Sequence, residues 1–110
     1  MVEIITAKSA LELTEASYEI SVEKYKKFFL GRFGEALNSK IQKACNSGNS
    51  WTTYSWSYYC SPEEAYVLSR AVKELLEEAG YKNVNVTQGY EDTFAVYLNW
   101  EKEEAEDNVW

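Results

Sequence analysis

Ten residues, WTTYSWSYYC (51–60), alternate with period two and then switch within two positions to a capped helix, SPEEAYVLSRAVKELLEEAG. A strand that ends so sharply at a helix must return to the same sheet through a crossover, which restricts the chain to folds mixing both element types. Along 51–60, Thr52, Tyr54, Trp56, Tyr58 and Cys60 fall on one face, and Trp51, Thr53, Ser55, Ser57 and Tyr59 on the other. In the helix signal, Ser61 is the cap, Pro62 occupies the first helical position and Glu64 is spaced to close a capping box. Ala65, Leu68, Val72, Leu75, Leu76 and Ala79 then form an apolar stripe, and Gly80 is placed to stop it.

Two more strands follow. YKNVNVTQG carries Val84 and Val86 in phase, and GYED is a turn. TFAVYLNW alternates cleanly, with Phe94, Val96, Leu98 and Trp100 inward and Ala95, Tyr97 and Asn99 outward. Upstream, Thr6 can cap a helix whose face carries Ala7, Ala10, Leu11, Thr14 and Tyr18. Ser21 can start a second helix carrying Val22, Tyr25, Phe29, Phe33, Ala36 or Leu37, Ile41 and Ala44, ended by NSGNS at 46–50. Gly31 and Gly34 inside it each cost about 1 kcal/mol against Ala, which suggests a bend or a close backbone approach. The expectation is one α+β domain over residues 1–100. It has two N-terminal helices, then strand–helix–strand–strand in a three-stranded mixed sheet, with helices on one face and strands 51–60 and 83–88 parallel. Residues 101–110, EKEEAEDNVW, read as an acidic, flexible tail.

Composition narrows the function. The 110 residues contain no histidine, which removes the commonest general base and metal ligand. Cys45 and Cys60 have no metal-type spacing and no partner to activate a thiolate, and they read as reduced core thiols. Glu63 and Glu64 suit a helix N-terminus on dipole grounds, and GRFG does not follow a strand, so it is no phosphate loop. No catalytic apparatus, cofactor or metal is expected. The net charge of −7 argues against direct nucleic-acid binding. The opening MVEIITAKSALEL lacks the pattern of a secretory leader and no apolar run reaches spanning length, so no membrane association is expected.

Charge is unevenly placed. Lys24, Lys26, Lys27, Arg32, Lys40 and Lys43 against Glu23 and Glu35 make residues 21–45 net +4, leaving −11 for the rest. This is either a solvated helix face that pairs with acidic residues elsewhere in the chain, or an attractor for phosphate or an acidic partner. The odd face of 51–60 is the other candidate surface. Trp51 and Tyr59 bracket the hydroxyls of Thr53, Ser55 and Ser57, and Tyr97 and Asn99 extend the face. Such a face suits self-association, giving a homo-oligomer, or a flat aromatic ligand such as a nucleobase.

Several short motifs recur in a fixed order: an I-x-A-K-x-A opening within IITAKSALELT, a helix running into ACNSGNSW, a helix ending AGYKNV, and a last strand closing in YLNW. Over residues 4–100 this resembles a widespread group of small, functionally unassigned proteins of tailed bacteriophages. The chain departs from that pattern in its aromatic 51–60 strand and acidic tail. The resemblance implies a phage-encoded protein in the host bacterial cytoplasm, where proteins of this size are mostly inhibitors, sponges for host signals or virion accessories. The first expectation is a non-enzymatic counter-defence protein that sequesters a host nucleotide signal or inhibits a host defence protein. The nucleotide version uses Lys40 and Lys43 for phosphate charge and Trp51 or Tyr59 for stacking. The protein version uses the acidic surface as a nucleic-acid mimic. The alternative is a virion protein assembling through the aromatic face and the NVW end.

Overall fold

The structure, a computed structural model, describes residues 3–90 and 92–101. The acidic tail expected over 101–110 therefore lies, beyond Glu101, outside the described residues. Five elements follow in order: α1 (Ala7–Asn46), β1 (Trp51–Ser57), α2 (Pro62–Glu78), β2 (Lys82–Gln88) and β3 (Thr93–Asn99). The α+β class and the crossover through α2 are as the sequence predicts.

The two expected N-terminal helices are one. Thr6 caps it, its hydroxyl accepting from the Ser9 amide at 3.2 Å. The backbone then continues through Ser21 for 40 residues. No proline or glycine stands between Ala7 and Leu30, so nothing forces a stop, and a serine in mid-sequence is a cap only if the chain has already left the helix. The glycines do not mark a close approach either. A Cβ at Gly31 meets nothing within 4 Å, and one at Gly34 meets only Leu30 of the same helix, at 3.7 Å. Gly31→Ala is accordingly expected to stabilise the fold by about 1 kcal/mol and to raise Tm on the order of 4 °C. A fall in Tm would mean that some contact needs the bare backbone.

The sheet is antiparallel throughout, in the order β1-β3-β2, not mixed. β1 and β2 point the same way, as a helical crossover requires, but they are not neighbours. The hairpin from β2 sends β3 into the gap between them, where its fully alternating sequence is covered on both edges. Thr53 pairs with Tyr97 and Asn85 pairs with Tyr97 from the other side. A bulge separates Lys82 from Asn85: three steps on β2 span two on β3, with Asn83 at φ 51° absorbing the extra residue.

Both helices pack on one face of the sheet. The core joins Phe29 and Leu37 of α1, Leu68, Val72 and Leu76 of α2, and Trp56, Val84, Phe94, Val96 and Leu98 of the strands. Trp56 lies parallel to Phe94 at 5.4 Å and edge-on to Phe29 at 5.0 Å. Its Nε1 is buried with no hydrogen-bond partner among the described residues. The inward alternation of 51–60 persists to Cys60, which is half-buried, although the hydrogen-bonded strand stops at Ser57. Cys45 departs from the expected core thiol: it follows buried Ala44 by one residue, a step of 100° on a helix, and so faces out.

Two polar contacts tie α1 to α2. Lys26 pairs with acidic residues elsewhere in the chain, as the basic face suggests, but is buried and not solvated, its Nζ 2.6 Å from Glu78, 3.1 Å from Glu23 and 3.7 Å from Glu74. The hydrogen bond to Glu78 raises its pKa against the opposing effect of burial. The Tyr25 hydroxyl donates to Glu64 Oε2 at 2.7 Å, and Ser61 caps α2 through the Glu64 amide at 3.2 Å. These donors, Tyr25 first and then Ser61, hold the Glu64 carboxyl below its ordinary 4.5. A carboxylate with a depressed folded pKa stabilises above its unfolded value and ceases to do so as pH falls through the folded one. Glu64→Gln should therefore be less stable than the parent near neutral pH, and the difference should close as pH falls below 4.5. Urea melts across that range test it, and a difference that persists in acid would contradict it.

Candidate functional site

The uncovered side of the sheet is built by the odd positions of β1 and β3 and by the bulged β2. Across one end runs the row Trp51–Asn99–Lys82, and the next row is Thr53–Tyr97–Asn85. Because of the bulge, Lys82 shares this face with Asn85 instead of pointing into the core with Val84.

The Trp51 and Tyr97 rings stack diagonally across the strands, 6.0 Å apart and 28° from coplanar. Asn99 is buried among its neighbours, 6% exposed, and its Nδ2 donates to the Tyr97 hydroxyl at 3.3 Å. This corrects the expectation that Asn99 is an open outward position: Trp51 stands directly opposite it on β1, and its amide is engaged. Lys82 Nζ donates to the Glu101 carbonyl at 3.0 Å. The result is an indole that is 49% exposed, braced from behind by a tyrosine whose own hydroxyl is fixed. Thr53 and Ser55 are exposed beside it on β1, as are Asn85 and Thr87 on β2.

The structure does not bring all the sequence-predicted residues to this place. Ser57 closes β1, six residues from Trp51 and about 20 Å away along a strand. Tyr59 lies beyond the strand, 87% exposed, and does not stand on the open face. Ser57 and Tyr59 instead line a shallow cleft with Arg32, Tyr58 and Asp92. There the Arg32 guanidinium sits over the Phe33 ring at 5.6 Å and the Phe28 ring at 6.0 Å. Trp51 and Tyr59 thus occupy opposite ends of the strand and cannot sandwich one base. Lys40 and Lys43 are exposed on α1, in the helical layer, whereas the stacked pair is on the other side of the sheet.

Sequence reading missed Lys82, Asn85 and Thr87 at this site. Asn85 and Thr87 alternate with Val84 and Val86 and were legible as outward positions, whereas the face of Lys82 depends on the bulge, whose one signal is Asn83, a residue type that tolerates positive φ. Among the described residues there is no group of three His, Cys, Asp or Glu able to hold a metal, and no helix long and apolar enough to cross a membrane. Burial raises the pKa of the Cys60 thiol, which keeps it a poor nucleophile.

Comparison with protein families, curated proteins and solved structures finds no match for this chain.

Proposed function

We propose that this chain is a non-enzymatic binding protein that captures a flat, base-bearing ligand on the uncovered face of its sheet. The observation that carries the reading is the stacked Trp51–Tyr97 pair, half-exposed and held from beneath by Asn99. A preorganised aromatic platform accepts the face of a nucleobase without reading its sequence, and flanking hydroxyls and amides offer hydrogen bonds to a sugar or base edge. Lys82, in the same cross-strand row, adds positive charge suited to a phosphate. Together with the phage-like order of motifs, this supports a phage counter-defence role in the bacterial cytoplasm: sequestering a host nucleotide signal without turning it over.

Backbone amide NMR during titration with ribonucleoside monophosphates and cyclic dinucleotides tests the reading. Shifts clustered at Trp51, Thr53, Asn85, Tyr97 and Asn99 are expected. Shifts confined to the Arg32–Tyr59 cleft or to α1 would contradict it, and silence to every nucleotide would favour capture of a host defence protein instead. A virion accessory acting through self-assembly is the second reading, favoured by the exposed apolar side chains of the first half of α1. Recovery of the protein in purified particles would support it.

A further inference from the structure

The first half of α1 has no partner among the described residues. Residues 7–17 are exposed at every position, and contact with α2 begins at Tyr18, whose ring lies 6.3 Å from that of Tyr66. The arm is not polar. Leu13 is 60% exposed and Ile20 71%; further along the same outer face Leu30 is 52% exposed. Leu13, Ala16, Ile20 and Leu30 occupy a and d positions of one heptad frame, in which Glu23 and Lys27 fill the intervening layers. Ile20, Glu23, Lys24 and Lys27, spaced i, i+3, i+4 and i+7, line a shallow depression of the kind that receives a knob from a second helix.

We propose that the occupant is a second copy of this chain, with the two α1 helices antiparallel about a twofold axis near residue 25. Charge chooses the direction. Residues 7–20 are net −2, from Lys8 against Glu12, Glu15 and Glu19, while 21–46 are net +4. Antiparallel pairing lays each acidic arm along the basic half of the other copy, whereas parallel pairing sets like against like. The heptad frame chooses the register. When positions sum to 50, Ile20 meets the partner's Leu30 and Glu23 meets the partner's Lys27, and by symmetry each contact occurs twice. The same register carries residue 5 to the partner's Cys45. Ile4 and Ile5, 88% and 65% exposed just before the helix, then reach the partner's apolar cleft between the ends of α1 and α2. In this chain that cleft is lined by Ile41, Cys45, Tyr81 and Trp100, among others. One arrangement thus covers the overlong helix, the exposed isoleucines and the cleft. It leaves the Trp51–Tyr97 face free and does not rest on the ligand reading.

Sedimentation equilibrium of the full chain should show a dimer. Ile20→Glu should weaken it by more than about 100-fold, because a lost apolar contact counts twice across the axis. Ile20 is exposed in the single chain, so this variant keeps its fold, which circular dichroism verifies. Lys27→Glu should weaken the dimer as well, by setting like charge against the partner's Glu23. In a Cys60→Ser background, Ile5→Cys treated with diamide should give a covalent dimer whose linked peptides join position 5 to Cys45. A monomeric parent, an Ile20→Glu dimer of unchanged affinity, or a crosslink joining position 5 to position 5 would overturn the proposal.

Discussion

Phe29→Ala is expected to lower the unfolding free energy by about 4 kcal/mol. Phe29 is fully buried, at 0% exposure, and its ring stands 5.6 Å from Phe33 and 5.0 Å from Trp56. It is where α1 meets the sheet, so its removal leaves a cavity bounded by rigid aromatic rings that cannot collapse to fill it. Small domains hold about 5–15 kcal/mol in all, and a loss of this size would lower Tm by on the order of 15 °C or more. Denaturant melts check it: the midpoint should fall with the slope unchanged. Leu13→Ala on the same helix, at 60% exposure, should change monomer stability by less than about 0.5 kcal/mol. Equal costs at the two positions would mean that the arm folds back onto the core.

Trp51→Ala is expected to have the largest effect on function. Removing a stacking aromatic from a base-binding platform costs about 1–3 kcal/mol, or roughly five- to more than a hundred-fold in affinity. Stability should change little, because half of the indole is already in water. Tyr97→Phe is the finer probe. It keeps the ring under Trp51 but removes the acceptor for Asn99, leaving a buried amide unsatisfied. The lysines discriminate between two placements of a phosphate. If the ligand lies on the sheet, Lys82→Ala should weaken binding more than Lys40→Ala/Lys43→Ala combined. The reverse order, read by calorimetry, would move the phosphate to α1.

The sequence made the strands and α2 legible for a physical reason: each carries its period and its punctuation together. Ser61, Pro62 and Gly80 bound α2, and Phe94, Val96 and Leu98 alternate without interruption. α1 was misread because it lacks such punctuation. Its apolar residues do not keep to one face, and Ser21 resembles a cap as long as Tyr18–Ile20 is taken for a turn. The length of α1 is legible only when one asks what would stop it. The antiparallel sheet follows from the alternation of β3, which demands the central place; once that is granted, the parallel pairing of β1 with β2 is excluded.

The site was half legible. The two faces of 51–60 divide as the alternation says, with Thr52, Tyr54 and Trp56 inward and Trp51, Thr53 and Ser55 outward. The end of the strand at Ser57 is not visible in the sequence, because Tyr58, Tyr59 and Cys60 continue the pattern beyond it, and Tyr59 lies past the strand, away from Trp51. The charge layout makes acidic partners for the basic helix face legible, but not the burial of Lys26, which takes Glu74 and Glu78 of α2 together with Glu23 one turn away. Lys82 was overlooked because a bulge reverses its face.

Whether the Trp51 face holds a small ligand is tested by native mass spectrometry of the parent chain and of Trp51→Ala, purified side by side from bacterial cells during phage infection. The prediction is a small additional mass on the parent that is lost or much reduced on Trp51→Ala. A parent chain with no small-molecule adduct, or the same adduct at equal occupancy on Trp51→Ala, would contradict it.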